Sequence, residues 1–172
     1  MLNLMNELEQ VWAKQIETKI NESQNADVAD YLNLRATNDS IRTASVKWLF
    51  DSITEIAAFA NRGHLKIALE NKIPHQFQFA KANMVGAALH LRLGVRCLTL
   101  EAGWTRTPTD GFMRGGALAA ARLTHFGMKK HDEEIILLRD EDFPNWFSIG
   151  IDGKREVFNS MNLRKHFEIF VG

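Results

Sequence analysis

The hydrophobic pattern of this chain changes period at Gly63, and that change constrains the fold more than any motif does. Ahead of it, Met5, Leu8, Trp12, Ile16 and Ile20 recur at steps of three and four, which places them on one face of a helix over about residues 3–22. "SQNAD" is read as an interruption, followed by a short helical stretch, "ADVADYLNLR". Asn38 then suits the cap of a second helix, with Asp39 well placed in its first turn. Ile41, Ala44, Trp48, Leu49, Ile53, Ile56 and Ala60 line the expected buried face. Gly63 follows Arg62 as a candidate left-handed residue ending that helix.

After Gly63 the alternation is closer to two, the period of half-buried strands. "HLKIAL" and "HQFQFAK" both alternate, and Pro74 between them favours a turn. "AALHLRLGVRCLTLEAGW" reads as a hairpin with Gly94 in its turn. "EEIILLRD" and "NWFSIGIDGKREVF" continue the strand pattern, and Asp152-Gly153 predicts a two-residue hairpin turn, because both of its central residues tolerate positive φ. "ALAAARLTHFG" is ambiguous. Its alanines favour helix, whereas the meandering flanks favour a strand paired with "EEIILLRD", and the strand is the reading adopted. "NLRKHFEIF" closes the chain as helix or strand.

These elements predict an α+β protein, with two amino-terminal amphipathic helices packed on a mostly antiparallel sheet of hairpins. Residues 1–172 are read as a single domain, 1–62 helical and 63–172 rich in strand. Cys97 is the only cysteine, so an internal disulfide is excluded and a secreted disulfide scaffold with it. No secretory leader pattern and no apolar run of membrane-spanning length is present. The expectation is a cytoplasmic protein without a membrane partner.

Net charge is zero, from 21 basic and 21 acidic residues, but it is segregated. Residues 63–131 carry ten basic and three acidic side chains, +7, whereas residues 1–62 carry −3 and residues 132–172 carry −4. A basic middle can present a positive surface to an anion. Alternatively the acidic flanks neutralise it, as Glu133 and Glu134 would if they lay opposite Arg122 in a hairpin.

Within that middle, "GWTRTPTDGFMRGG" over residues 103–116 concentrates candidate site residues. Thr107, Pro108, Thr109, Asp110 and Gly111 make turn chemistry. Arg106 and Arg114 flank the turn with Trp104 and Phe112, so guanidinium forks and aromatic faces could converge on a phosphate, carboxylate or base. His125 completes this ligand set as a titratable neighbour. Six histidines are scattered with no HExxH pair, so no metal and no cofactor is expected. Cys97 with His90 or His125 has no nucleophile signature, and no phosphate-loop or nucleophile-elbow motif occurs.

The expected function is a non-catalytic module that binds an anionic small molecule or nucleic acid through this basic segment. One alternative is a small enzyme that holds a phosphate or carboxylate substrate with the same arginines, with His125 or Asp110 as acid or base. Another is an assembly protein that forms a homo-oligomer through its helix pair.

Overall fold

The computed structural model describes residues 2–141 and 143–172. Side chains up to residue 8 lie outside that description, and with them the helix positions read for Met5 and Leu8. One helix, α1 (Leu2–Arg62), is followed by seven strands: β1 (Ala68–Phe79), β2 (Ala82–Leu93), β3 (Arg96–Trp104), β4 (Ala119–His125), β5 (Glu133–Asp140), β6 (Phe143–Ile149) and β7 (Arg155–Phe158). A second helix, α2 (Ser160–Val171), closes the chain. The strands form one antiparallel sheet in sequence order. An α+β architecture with an antiparallel sheet is therefore present, but the two amino-terminal helices are one, and the second helix is carboxy-terminal.

The helix pair fails for a simple reason. Ser23, Asn25, Asp27 and Asn38 are weak helix formers, costing well under ~1 kcal/mol each, and neither Gly nor Pro stands among residues 2–62 to break the helix. Gly63 does end it, through a bond from its N–H to the carbonyl of Ala60 (3.1 Å), yet it is not among the left-handed glycines.

By contact density the chain divides into two compact units, one up to Ser40 and one from Ile41 onward. In the first, Trp12, Ile16 and Ile20 are each more than half exposed. In the second, Leu49, Ile53 and Ala57 form the buried stripe of α1, at steps of four. This part of α1 is tied to the sheet by polar bonds as well. Arg42 Nε donates to the carbonyl of Leu118 (2.7 Å), and the carbonyl of Ser45 accepts from Trp146 Nε1 (3.2 Å). Asn61 clamps both polar groups of the Ile67 backbone, at 2.8 and 3.0 Å.

Strand alternation puts neighbouring residues on opposite faces, and both faces are used. Ala119, Ala121, Leu123, Ile135, Leu137 and Trp146 join Leu49, Ile53, Leu163, Phe167 and Phe170 in a first core on the helix side. Ala120, Ile136, Leu138 and Phe147 build a second core with Phe79, Ala82, Met84 and Ala117. Phe79, Ala82 and Met84 belong to the tip of the β1–β2 hairpin, which therefore folds back over the outer face of β4, β5 and β6.

The crease for that fold is a glycine pair. Gly86 of β2 faces Gly103 of β3, and a Cβ on Gly86 would lie 1.9 Å from the carbonyl oxygen of Ala102. The alanine run of β4 is explained by the same layering. With both faces covered, small side chains suit the strand and its polar alternation disappears.

Several local expectations need adjustment. Pro74 does not turn the chain: residues 68–79 are one edge strand with an irregularity between Lys72 and His75, where a missing N–H is tolerated. The β6–β7 connection is a three-residue loop, Ile151–Gly153. The Gly150 N–H bonds to the carbonyl of Lys154 (2.9 Å), and only Gly153 of the Asp-Gly pair is left-handed (φ 78°), the geometry of a bulged hairpin. Gly94 (φ 60°) does occupy the β2–β3 turn, and the 117–126 segment does form a strand. The terminal α2 starts with a capping box between Asn159 and Asn162.

Candidate functional site

The loop over residues 103–116 is held by its own side chains. Asp110 Oδ2 accepts the N–H groups of Arg106 and Thr107, each at 3.0 Å, and those two bonds hold its carboxyl below the usual carboxylate range. Thr107 and Thr109 share a hydroxyl bond of 2.8 Å. The Arg106 guanidinium lies 3.9 Å over the Trp104 ring and donates to the carbonyl of Val85 (3.0 Å). Trp104, Arg106, Thr107 and Asp110 are thus brought together as a braced turn. Phe112 points to solvent, 96% exposed.

Arg114 has different surroundings. It borders a cleft of ≈320 Å3 with Asp132, Glu133, Glu134 and Glu156, floored by Phe79, Ile136 and Ile149. Next to this cleft an ion-pair ladder crosses the outer face. His75 Nε2 lies 2.8 Å from Glu101 Oε1, and Arg122 reaches Glu101 (3.5 Å) and Glu134 (3.3 Å). Arg122 also donates to the carbonyl of Gln78 (2.9 Å), fixing the folded-back hairpin tip. This part of the basic segment is neutralised within the fold, Arg122 pairing with Glu134 in register.

At the other end of the same face the carboxylates thin out. A cleft of ≈310 Å3 is lined by His90 and Arg92 of β2, the Gly94-Val95 turn, Arg96, Cys97 and Thr99 of β3, and Thr124 and Phe126 after the next crossing. Register explains the grouping. The tight turn at Gly94 sets His90 opposite Thr99 and Arg92 opposite Cys97, and Thr99 is opposite Thr124. His90 Nδ1 lies 2.9 Å from Thr99 Oγ1, which is also 3.8 Å from Cys97 Sγ. Arg96 is anchored toward the carbonyl of Phe170 (3.4 Å), at the carboxyl end of α2, where a cation is favoured. Arg92 is more than half exposed, its nearest carboxylate being Glu70 at 3.8 Å.

The imidazole of His90 reports the field in this cleft. Burial pushes its pKa below the ordinary histidine value, and the charge of Lys72 adds to the push, with smaller contributions from Arg92 and His75 against the opposing Glu70. His90 is consequently neutral at pH 7, able to donate or accept one hydrogen bond at the cleft floor.

His125 sits elsewhere. It is 1% exposed on the helix face of β4, with Nε2 2.8 Å from Nδ1 of His166. It therefore cannot meet a ligand held by the loop, and Asp110 is already engaged as the cap of its turn. Among the described residues no three His, Cys, Asp or Glu side chains are grouped to hold a metal ion, and no helix is long and apolar enough to cross a membrane. Comparison with protein-family models, with curated proteins and with solved structures finds no match.

The residues that sequence reasoning passed over as a site are His90, Arg92, Thr99 and Thr124. The signal for the first three was present in "HLRLGVRCLTL", where His90 and Arg92 before a tight glycine turn and Thr99 after it share one face, whereas Thr124 is joined to them only by the pairing of β3 with β4.

Proposed function

We propose that this protein is a non-catalytic binding module for a small anionic ligand bearing a phosphate or carboxylate, seated in the outer-face cleft between β2, β3 and β4. The observation that carries this reading is the cleft lining itself: the Arg92 guanidinium with the His90 imidazole and the Thr99 and Thr124 hydroxyls, and no carboxylate among the lining residues. Guanidinium and hydroxyl donors are the groups that replace the hydration of an oxyanion. A volume of ≈310 Å3 suits a small molecule better than a length of nucleic acid strand, and the half-open lip at Val95 and Phe126 leaves an apolar surface for the remainder of the ligand. The braced loop of Arg106 takes second place, since its guanidinium already has a carbonyl and a ring. We propose a cytoplasmic location, in keeping with a chain whose single cysteine leaves it without any internal disulfide.

The test is a thermal-shift screen of inorganic phosphate, phosphorylated metabolites, dicarboxylates and short single-stranded nucleic acid at low salt. Stabilisation by a small anion, weakened in Arg92→Ala by about 1.5–3 kcal/mol of binding free energy, is expected. A hit that is undiminished in Arg92→Ala defeats the assignment, and so does a screen in which nucleic acid alone stabilises.

A second reading, self-assembly, is favoured by one observation: Trp12 and Tyr31, on the helix ahead of Ser40, are 69% and 62% exposed. Sedimentation of the wild type against Trp12→Glu checks it. A monomer in both sets it aside.

A further inference from the structure

Two histidines are sealed into the first core where α2 crosses β4, and their hydrogen bonds determine how many protons the site can hold. His166 Nε2 lies 2.5 Å from Glu133 Oε2, and His166 Nδ1 lies 2.8 Å from His125 Nε2. With Glu133 ionised, His166 donates from Nε2 and accepts at Nδ1, so His125 donates from Nε2. His125 Nδ1 is then a bare lone pair, buried and without a hydrogen-bond partner.

No added proton suits the His125 ring. If His125 carries both protons, Nδ1–H points into the core with no acceptor, a cost of burial that water would have relieved. If His166 is charged as well, two N–H groups face each other across 2.8 Å. The chain of bonds is complete only while His125 is neutral.

We propose that the His125–His166 pair is an acid-sensitive latch that holds α2 on the sheet at neutral pH and releases it when His125 takes up a proton. The bond chain itself delivers no proton to Nδ1, since both of its N–H groups already point toward Glu133, so His125 is protonated when the contact opens and water reaches Nδ1. Release would uncover Leu163, Phe167 and Phe170 of α2 together with Leu98 and Leu123 of the sheet.

The charged and titratable groups around the pair are few. From the turn after β4 come His131, whose ring meets that of His125 edge-on at 5.9 Å, and Asp132, whose Oδ1 accepts the His125 backbone N–H at 2.7 Å. From β5 comes Glu133, and from α2 His166 itself. The β3 neighbour is Leu98, and β7 contributes the Phe158 ring, 6.1 Å from that of His166. Burial pushes the His125 pKa from 6.5 down to about 4, the charges of His166 and His131 push the same way, and Asp132 opposes them.

Between pH 6.5 and about 4 the opened form binds a proton that the closed form refuses, so closure is favoured at neutral pH and weakens as pH falls through that window. A gap of this width makes the opening equilibrium rise by about two orders of magnitude on going from neutral pH to pH 4.

Amide hydrogen exchange of the full chain, corrected for the intrinsic effect of pH on exchange, tests the latch. Exchange of the Leu163–Phe170 amides should rise about a hundredfold between pH 7 and 4, while the Leu89–Leu91 and Leu98–Leu100 amides remain protected. In His125→Leu, which has nothing to protonate, the α2 amides should lose most of that pH dependence. Flat α2 exchange in the wild type overturns the proposal, and so does His125→Leu with the wild-type profile. If the variant does not fold, imidazole NMR of the wild type decides: proton uptake by His125 should coincide with α2 opening. A His125 that titrates near 6.5 with α2 still closed, or that stays neutral while α2 opens, overturns it.

Discussion

The two faces of this sheet are built from the same seven strands and are used differently. The helix face is sealed: among the described residues, nineteen buried ones from α1, α2, the strands and the α1–β1 connection form one core, and two buried polar side chains on that face, His125 and His166, bond to each other. The outer face is covered over part of its length, where the β1–β2 tip folds back to make an eight-residue core. Beyond that cover it carries the ion-pair ladder of Arg122 and the His90 cleft. Burial on one side supplies the stability of the domain, and incomplete burial on the other leaves polar residues placed by strand register and reachable by a ligand. The proposed binding role rests on this arrangement, with the sealed face holding the open one in shape.

The comparison is broken most severely at the crease. Gly86→Val would drive a side chain into the carbonyl of Ala102 and unfold the hairpin tip from the outer face, so a loss of about 3 kcal/mol or more in urea unfolding is expected. A loss under 1 kcal/mol would mean that the glycine pair does not set the bend. Next comes a pair of truncations. Leu123→Ala in the sealed core should cost about 3–4 kcal/mol, and Ile136→Ala in the outer core closer to 2, since Ile136 borders a cleft that can relax around the missing atoms. Equal costs would show that the outer core is packed as tightly as the inner one. The smallest effect belongs to the loop. Arg106→Ala removes the cation stacked on Trp104 and the hydrogen bond to Val85 at an exposed site, and should cost about 0.5–1 kcal/mol in the same urea titration. A loss above 2 kcal/mol would make the loop part of the structural frame.

How much was legible before the fold was seen depends on whether a residue's signal is local. The Gly94 hairpin and the β4–β5 pairing were read correctly, because turn residues and alternation act over a few positions. The helix was divided wrongly at residues 23–27, since side chains of weak helix propensity were taken for breakers. Gly86 and Gly103 passed unnoticed: what they allow is a contact between two strands, and nothing near either one in sequence announces it. The loop over residues 103–116 drew attention by its composition, yet the same side chains that looked like ligands turned out to brace one another, Asp110 on the Arg106 N–H and Arg106 on Trp104. The His90 cleft needed register. Its histidine, arginine and threonines lie on three strands, and only the pairing of His90 with Thr99 and of Thr99 with Thr124 brings them together.

That division between a sealed face and an open one is tested most directly by backbone amide chemical shifts during a titration with inorganic phosphate at low ionic strength. The account predicts saturable shifts concentrated at His90, Arg92, Cys97, Thr99 and Thr124, with the Arg106–Arg114 loop and the helix face nearly silent, and loss of those shifts in Arg92→Ala. Shifts centred on Arg106 and Arg114, or an unchanged pattern in Arg92→Ala, would contradict it.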